Sequence, residues 1–252
     1  MIHPVEVWSF VPVVLAVFLI AGVIKGTLGI GLPTVSVGIM SQFLPPHTAI
    51  AIVVLPIVVS NLWQVIRERA GFQTFRKYWL LMVTLVLSLW LTTFFVVRTS
   101  PEILLGAIGI AIVTFAATSL FGKTPELPDR MDKPAQFVAG TSAGVLGGLT
   151  SIWAPPIVTY MLARRTPPSE FVKAVGLFLF VGSIPLLIGF WQAGMLSGPI
   201  AGISALMVVP SVIGFTMGEF LRRKMSAETF RTVLLWMFLL MGLNLLRRAV
   251  FG

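Results

Sequence analysis

The 252-residue chain predicts an all-α polytopic membrane protein built from two four-segment repeats, and three observations lead there. Hydrophobic residues make up 57% of the sequence and charged ones 11%, with a mean hydropathy of +0.97, where a soluble domain carries roughly 25% charged residues. Apolar windows of about 20 residues, the length of a helical crossing, follow one another with short gaps. Two glycine-rich, proline-ended breaks, Lys25-Gly-Thr-Leu-Gly-Ile-Gly-Leu-Pro33 and Ala143-Gly-Val-Leu-Gly-Gly-Leu-Thr-Ser-Ile-Trp-Ala-Pro-Pro156, interrupt apolar stretches at matching places in the two halves.

In order, the first repeat spans 1–122 and opens with the broken segment 7–40, followed by windows over 48–66, 78–97 and 103–122. Residues 123–134, with mixed charge and three prolines, read as the linker. The second repeat, 135–252, opens with the broken segment 137–163, continues with two spans inside 174–221 separated around Gln192 to Pro199, and ends with 229–251. Both halves read as break, Pro-Pro turn, span, glycine-containing turn, span and final span, an order that marks an internal duplication. A signal peptide over 7–24 is disfavoured, because that stretch lacks a Lys- or Arg-bearing start and runs straight into the break.

Loop charges bear on whether the repeats are parallel or inverted. The gap after the second window carries Arg67, Arg69, Arg76 and Lys77, whereas its counterpart around Gln192 to Pro199 carries none; the second half instead places Arg164, Arg165, Lys173, Arg222, Arg223 and Lys224 at other positions. Equivalent loops facing opposite sides of the membrane would produce this swap. Inversion needs an odd number of crossings per half, which four segments supply only if each broken segment enters the membrane and returns as a helix hairpin. The N-terminus, with Glu6 and no Lys or Arg, then lies outside, as do Arg247 and Arg248, which run against the charge rule. Eight simple crossings in a parallel arrangement remain the alternative.

In lipid an unpaired backbone group costs several kcal/mol, so unwound chain at membrane depth belongs where it is buried in protein or lines a polar cavity. Glycine allows close approach of backbone to a ligand, proline stops the helix from simply continuing, and a helix restarting after a break offers free N–H groups and partial positive charge to an anion. The candidate substrate-binding residues are therefore Lys25, Thr27, Gly29, Gly31 and Thr34 at the first break and Gly147, Thr150, Ser151 and Trp153 at the second. Asn61 and Gln64, three apart on one helix face with Arg67 next in register, and Gln192 in the second half complete the set. Small residues that only permit tight helix packing are the bland alternative. Lys25 is the candidate counter-ion; by alignment its counterpart is Ala143, so the fold does not require it. His47, after Pro45-Pro46, and Glu219, near Arg222 and Arg223, are the titratable groups that coupling to protons could use. Glu170 and Lys173, spaced i and i+3, read as a surface ion pair, and Trp191 as an interfacial anchor.

Other functions lack their residues. The chain has no cysteine and only two histidines, His3 and His47, far apart, which leaves no thiolate chemistry and little for a metal. No nucleophile triad, zincin or phosphate-loop pattern occurs, so neither an enzyme nor a resident cofactor is expected. The excess of 18 Lys+Arg over 9 Asp+Glu follows the loops, as topology demands, and nucleic acid is not an expected partner; the lipid bilayer, a small anion and a second copy of the chain are.

The breaks Gly26-Thr-Leu-Gly-Ile-Gly-Leu-Pro33 and Gly144-Val-Leu-Gly-Gly-Leu-Thr-Ser-Ile-Trp-Ala-Pro155, the Pro-Pro turns and the four-segment halves resemble the sulfite exporter TauE/SafE family, also called the four-toluene-sulfonate uptake permeases. The resemblance covers residues 10 to 251. It implies a multi-pass carrier of the bacterial inner membrane, most simply an exporter, for sulfite, sulfoacetate-like organosulfonates or other sulfur-containing anions, and the paired breaks with Lys25 lead one to expect the anion between the two broken helices near mid-membrane. The sequence departs from the family's usual consecutive glycines at Ile30 and Leu32, and Ile152-Trp153-Ala154 lengthens the second break. An anion channel and a non-transporting assembly subunit are the other readings.

Overall fold

In the computed structural model, which describes residues 10–68, 71–121, 125–222 and 227–251, the chain is all helical and no strand occurs among the described residues. Twelve α-helices follow in chain order: α1 Val11–Leu28, α2 Leu32–Met40, α3 Pro46–Ile52, α4 Val54–Glu68, α5 Phe72–Lys77, α6 Trp79–Val96, α7 Pro101–Phe121, α8 Asp132–Thr150, α9 Ala154–Ala163, α10 Pro168–Gln192, α11 Gly198–Arg222 and α12 Ala227–Phe251. Seven stretches are long and apolar enough to cross a membrane, with α3 and α4 counted as one. Helix α8 has their length but is diluted by glycine and polar residues.

Both broken segments turn back on themselves. Helix α1 ends on Gly29 and α2 restarts after Gly31, both left-handed at φ 79° and 107°, with Pro33 in the first turn of α2. The return brings Phe43 to within 5.8 Å, ring to ring, of Phe10 at the start of α1. The second segment does the same: Tyr160 near the end of α9 donates to Asp132 at the start of α8 at 2.7 Å, and Leu127 N–H donates to Ala163 O at 2.9 Å. Each half is thus one hairpin followed by three long helical elements.

Helices pair across the halves. Helix α1 lies on α11 and α8 on α6, while α4 meets α10 and α7 meets α12. The α1–α11 seam is backbone on backbone. A Cβ on Gly22 or Gly26 would collide with the carbonyls of Ser211 or Phe215, and one on Gly214 or Gly218 with those of Leu19 or Val23. In the α8–α6 seam, Gly140, Gly144 and Gly148 face Thr84, Ser88 and Thr92, whose hydroxyls are satisfied within α6, as at 2.9 Å to Leu80 O and 2.6 Å to Ser88 O. Close approach of small residues is what holds helices together where lipid removes the hydrophobic driving force.

The two ends of the bundle differ in charge. One end gathers Arg67, Arg76, Lys77, Arg130, Lys133, Arg164, Arg165 and Lys173, as the contacts Arg67–Glu219, Lys77–Glu170 and Arg164–Asp129 show. At the other end, His47 meets Val96 O at 3.2 Å, and Arg248 donates to Ser41 O and Gln42 O at 2.8 and 3.1 Å. Arg248 therefore caps the carbonyls that end α2, a structural reason for an arginine on the sparsely charged end.

The window over 48–66 lies within one stretch long enough to cross, built of two helices parted at Val53, where Pro56 carries no N–H for the carbonyl four residues back. Between α7 and α8 a 3-10 turn occupies Asp129–Met131 and α8 begins at Asp132. One expectation is corrected. Glu170 does not pair with Lys173: its carboxylate accepts from Lys77 and from Tyr78 Oη, each at 2.6 Å. Glu219 pairs with Arg67 at 2.6 Å. Arg69, Arg223 and Lys224 lie outside the described residues.

Candidate functional site

Lys25 sits one turn before the first break and is 1% exposed. Its ammonium donates to Ser60 Oγ at 3.0 Å and to Asn61 Oδ1. Helix α4 presents both acceptors on one turn, and its Pro-induced parting from α3 leaves Asn61 deep in the bundle, 2% exposed. The other end of the Asn61 amide donates to Leu179 O of α10 at 2.9 Å, so the lysine is tied through α4 to the second half of the chain. None of the ion pairs among the described residues includes Lys25. Among the described residues this buried amine meets neutral dipoles alone.

Gln64 lies one turn further along α4, 3% exposed, and its Oε1 has no partner. Its Nε2 would be the nearest neighbour of a side chain at Gly29, and its amide lies against Gly176 of α10. The structure thus gathers Lys25, Gly29, Asn61 and Gln64 as the sequence leads one to expect. It adds Ser60, which sequence reading missed although it adjoins Asn61; nothing in a lone serine distinguishes it from a packing residue. Thr27 is turned elsewhere, its hydroxyl donating to Val23 O at 2.8 Å and to Gly218 O at 3.3 Å within the α1–α11 seam. Gly31 is the N-cap of α2 and Thr34 is buried in its first turn; the N–H groups of that turn have no partner within the helix.

The second break is a different object. Ser151 adopts a left-handed φ of 59°, a conformation a non-glycine residue holds only when its surroundings fix it. Here Thr150 Oγ1 accepts from Ile152 N–H at 3.1 Å, and Ser151 Oγ donates to Ile50 O at 3.1 Å. Trp153 follows, 1% exposed, packed on Gly147 and Gly182, and its indole N–H has no partner. Along the composite helix α3–α4, the contact at Ile50 and the contacts at Ser60 and Asn61 are some ten residues apart, roughly 15 Å at 1.5 Å per residue. The breaks therefore do not face each other across one clamp. Each hairpin reaches past the middle, and their tips stand at different heights.

Three candidates lie apart from this cluster. Gln192 is exposed at the end of α10, accepting from Trp90 Nε1 at 3.4 Å, next to Trp191, 70% exposed. His47 sits at the sparsely charged end on Val96 O, and Glu219 is held by Arg67 at the other end. Near that end Tyr78, just before α6, is buried and bonded to Glu170, which together push its phenol well above the usual range; it is a neutral donor there.

Among the described residues no cluster of His, Cys, Asp or Glu could hold a metal. A family model described as sulfite exporter TauE/SafE matches residues 14–245. No curated protein and no solved structure matches the chain.

Proposed function

For a chain that belongs to the sulfite exporter TauE/SafE family, we propose secondary transport, in the export direction, of a small sulfur-containing anion such as sulfite or a sulfoacetate-like organosulfonate, bound at Lys25. One observation carries the reading: a fully buried lysine with no carboxylate partner among the described residues. An unpaired ion in a membrane interior costs several kcal/mol, and an ionisable residue there marks a substrate pathway by default. A sulfonate or sulfite group supplies the missing charge and offers three acceptor oxygens to the Lys25 ammonium, the amides of Asn61 and Gln64, and the free N–H groups of the first turn of α2.

In this reading the halves are inverted. The end rich in Lys and Arg faces the cytoplasm of a bacterial inner membrane. Hairpin α1–α2 then enters from outside and α8–α9 from the cytoplasm, and three crossings after each hairpin carry the chain to the opposite side. The repeat boundaries 1–122 and 135–252 follow from the same alignment.

Substitution Lys25→Met, which keeps the bulk and deletes the charge, tests the site in purified protein. Sulfite or sulfoacetate at a hundred times its Kd raises native stability by about 2.7 kcal/mol. The variant is expected to lose that shift while its own Tm stays level or rises. A retained ligand shift removes Lys25 from the site.

A further inference from the structure

Every third residue of α10 from Glu170 to Pro185 falls on one ridge: Glu170, Lys173, Gly176, Leu179, Gly182 and Pro185. Rows spaced i±3 run as continuous ridges on a helix surface, and this one passes each polar feature in turn. Glu170 and Lys173 line a polar cavity of about 630 Å³ at the basic end of the bundle, together with Lys77, Gln73, Thr74 and Ser169. Glu170 is already engaged by Lys77 and Tyr78. Gly176 is the notch for the Gln64 amide, where an added Cβ would come within 3.2 Å of Nε2. Leu179 O anchors Asn61, the partner of Lys25. Gly182 is the notch for Trp153, where an added Cβ would come within 2.9 Å of the indole nitrogen.

Four buried side-chain polar atoms lack a partner among the described residues, and two of them, Gln64 Oε1 and Trp153 Nε1, stand on this ridge on either side of Asn61. Leaving such an atom unpaired costs about 1–3 kcal/mol, a cost that an anion relieves directly at the indole N–H and at Gln64 only once the amide has turned, because Oε1 itself accepts. An indole N–H can only donate, and a glutamine amide turned about its last bond presents its NH₂, so the ridge offers a succession of donors suited to an anion. Pro185 deprives the carbonyl of Val181 of its helical donor beside the Trp153 notch, which leaves α10 free to bend there.

We infer that the anion moves along this α10 ridge, from the cavity at Lys77 and Lys173 past Gln64 to Lys25, and that the Trp153 indole N–H is the contact that receives it next. The inference rests on Lys25 as the binding residue and adds the route and the second contact. The first hairpin supplies the ammonium and the second supplies the donor one step further along the ridge.

The test uses the full chain in liposomes with sulfoacetate as the probe. Trp153→Phe keeps the ring and removes the donor; flux is expected to fall about tenfold or more, as for loss of a hydrogen bond to a charged group, with sulfoacetate still raising the Tm. Wild-type flux in Trp153→Phe, alongside loss of flux in Lys25→Met, overturns the inference and leaves the binding reading intact; wild-type flux in both overturns both. Should Trp153→Phe fail to fold, the cysteine-free sequence provides a second route. A Gly176→Cys side chain points at Gln64, and a sulfonate-bearing methanethiosulfonate is expected to label it more slowly when sulfoacetate is present. Labelling at an unchanged rate, or no labelling, overturns the route.

Discussion

Hairpin α1–α2 closes on a lysine and two left-handed glycines, whereas hairpin α8–α9 closes on a left-handed serine and a buried tryptophan. The two are otherwise built alike. Each has a long arm of 18 or 19 residues and a short return of 9 or 10; each arm buries glycine against a helix of the opposite half. Aligned on the residues that end the two arms, Gly29 and Ser151, Lys25 stands opposite Gly147 and not opposite Ala143 as the sequence alignment has it, and both are buried. The hairpin as a structure therefore does not need the charge, and among the described residues the charge has no ion-pair partner to offset its burial. A cost carried by one copy and absent in the other is what supports the proposed role of Lys25.

The bases of the hairpins differ as well. The second is locked by charge, with Arg164 on Asp129 and Asp132 at 2.9 and 3.2 Å and Tyr160 on Asp132. The first is held by Arg248 on two carbonyls and by Asn244 donating to Gln42 at 2.7 Å. Beside the first hairpin, an apolar cavity of about 460 Å³ lies between Leu19, Ile24, Val35 and Ile39 on one side and Met217, Phe238 and Met241 on the other. A short return helix flanked by such space is cheaper to displace than one packed on all sides.

Three substitutions would break or sharpen the contrast. The largest effect is expected from Gly147→Lys, which places one turn before the second break the charge that the first one tolerates. With Gly147 buried and an added Cβ there within 2.9 Å of Trp153, the loss is about 3–5 kcal/mol, read as a fall in Tm or in yield of folded protein; a stable variant would show that either hairpin can house the cation and would dissolve the distinction. Next is Gly26→Ala. The new methyl collides with Phe215 O and parts α1 from α11, at a cost of about 1–3 kcal/mol, and because Lys25 adjoins it, ligand stabilisation should fall by more than the Tm does. Equal loss of both would mean the seam positions nothing. The smallest change is expected from Ser151→Gly, which relieves the left-handed φ but gives up the bond to Ile50 O. These terms, each about 1 kcal/mol, nearly cancel, so a Tm shift beyond a few degrees would mean that the turn stores more strain than its dihedral suggests.

Much of the fold is legible in the residues. Gly29, Gly31 and Pro33 stop one helix and start another wherever they occur, and the loop arginines and lysines sort the ends of the helices. Half of the site is legible for the same reason: Lys25 is anomalous in an apolar run, and Asn61 and Gln64 share a face by helical geometry alone. Partner choice is where local reasoning fails. Glu170 is three residues from Lys173, yet its carboxylate meets Lys77 and Tyr78, because an i,i+3 ion pair is worth only a few tenths of a kcal/mol and packing of α10 against α6 decides the matter. Gln192 falls off the site because α10 runs on past Gly182 to the far end of the bundle.

By itself, then, the sequence determined that the chain is membrane-embedded, all helical and broken at two places, since hydropathy, spacing and backbone restriction are properties of neighbouring residues. Only the tertiary structure decided that the breaks stand at different heights, that Ser60 joins Lys25, and that Gly176, Leu179 and Gly182 bring Gln64, Asn61 and Trp153 onto one ridge. Those contacts span about 30 to 120 positions of sequence, and a pairing at that range is fixed by how helices pack, which no local pattern encodes.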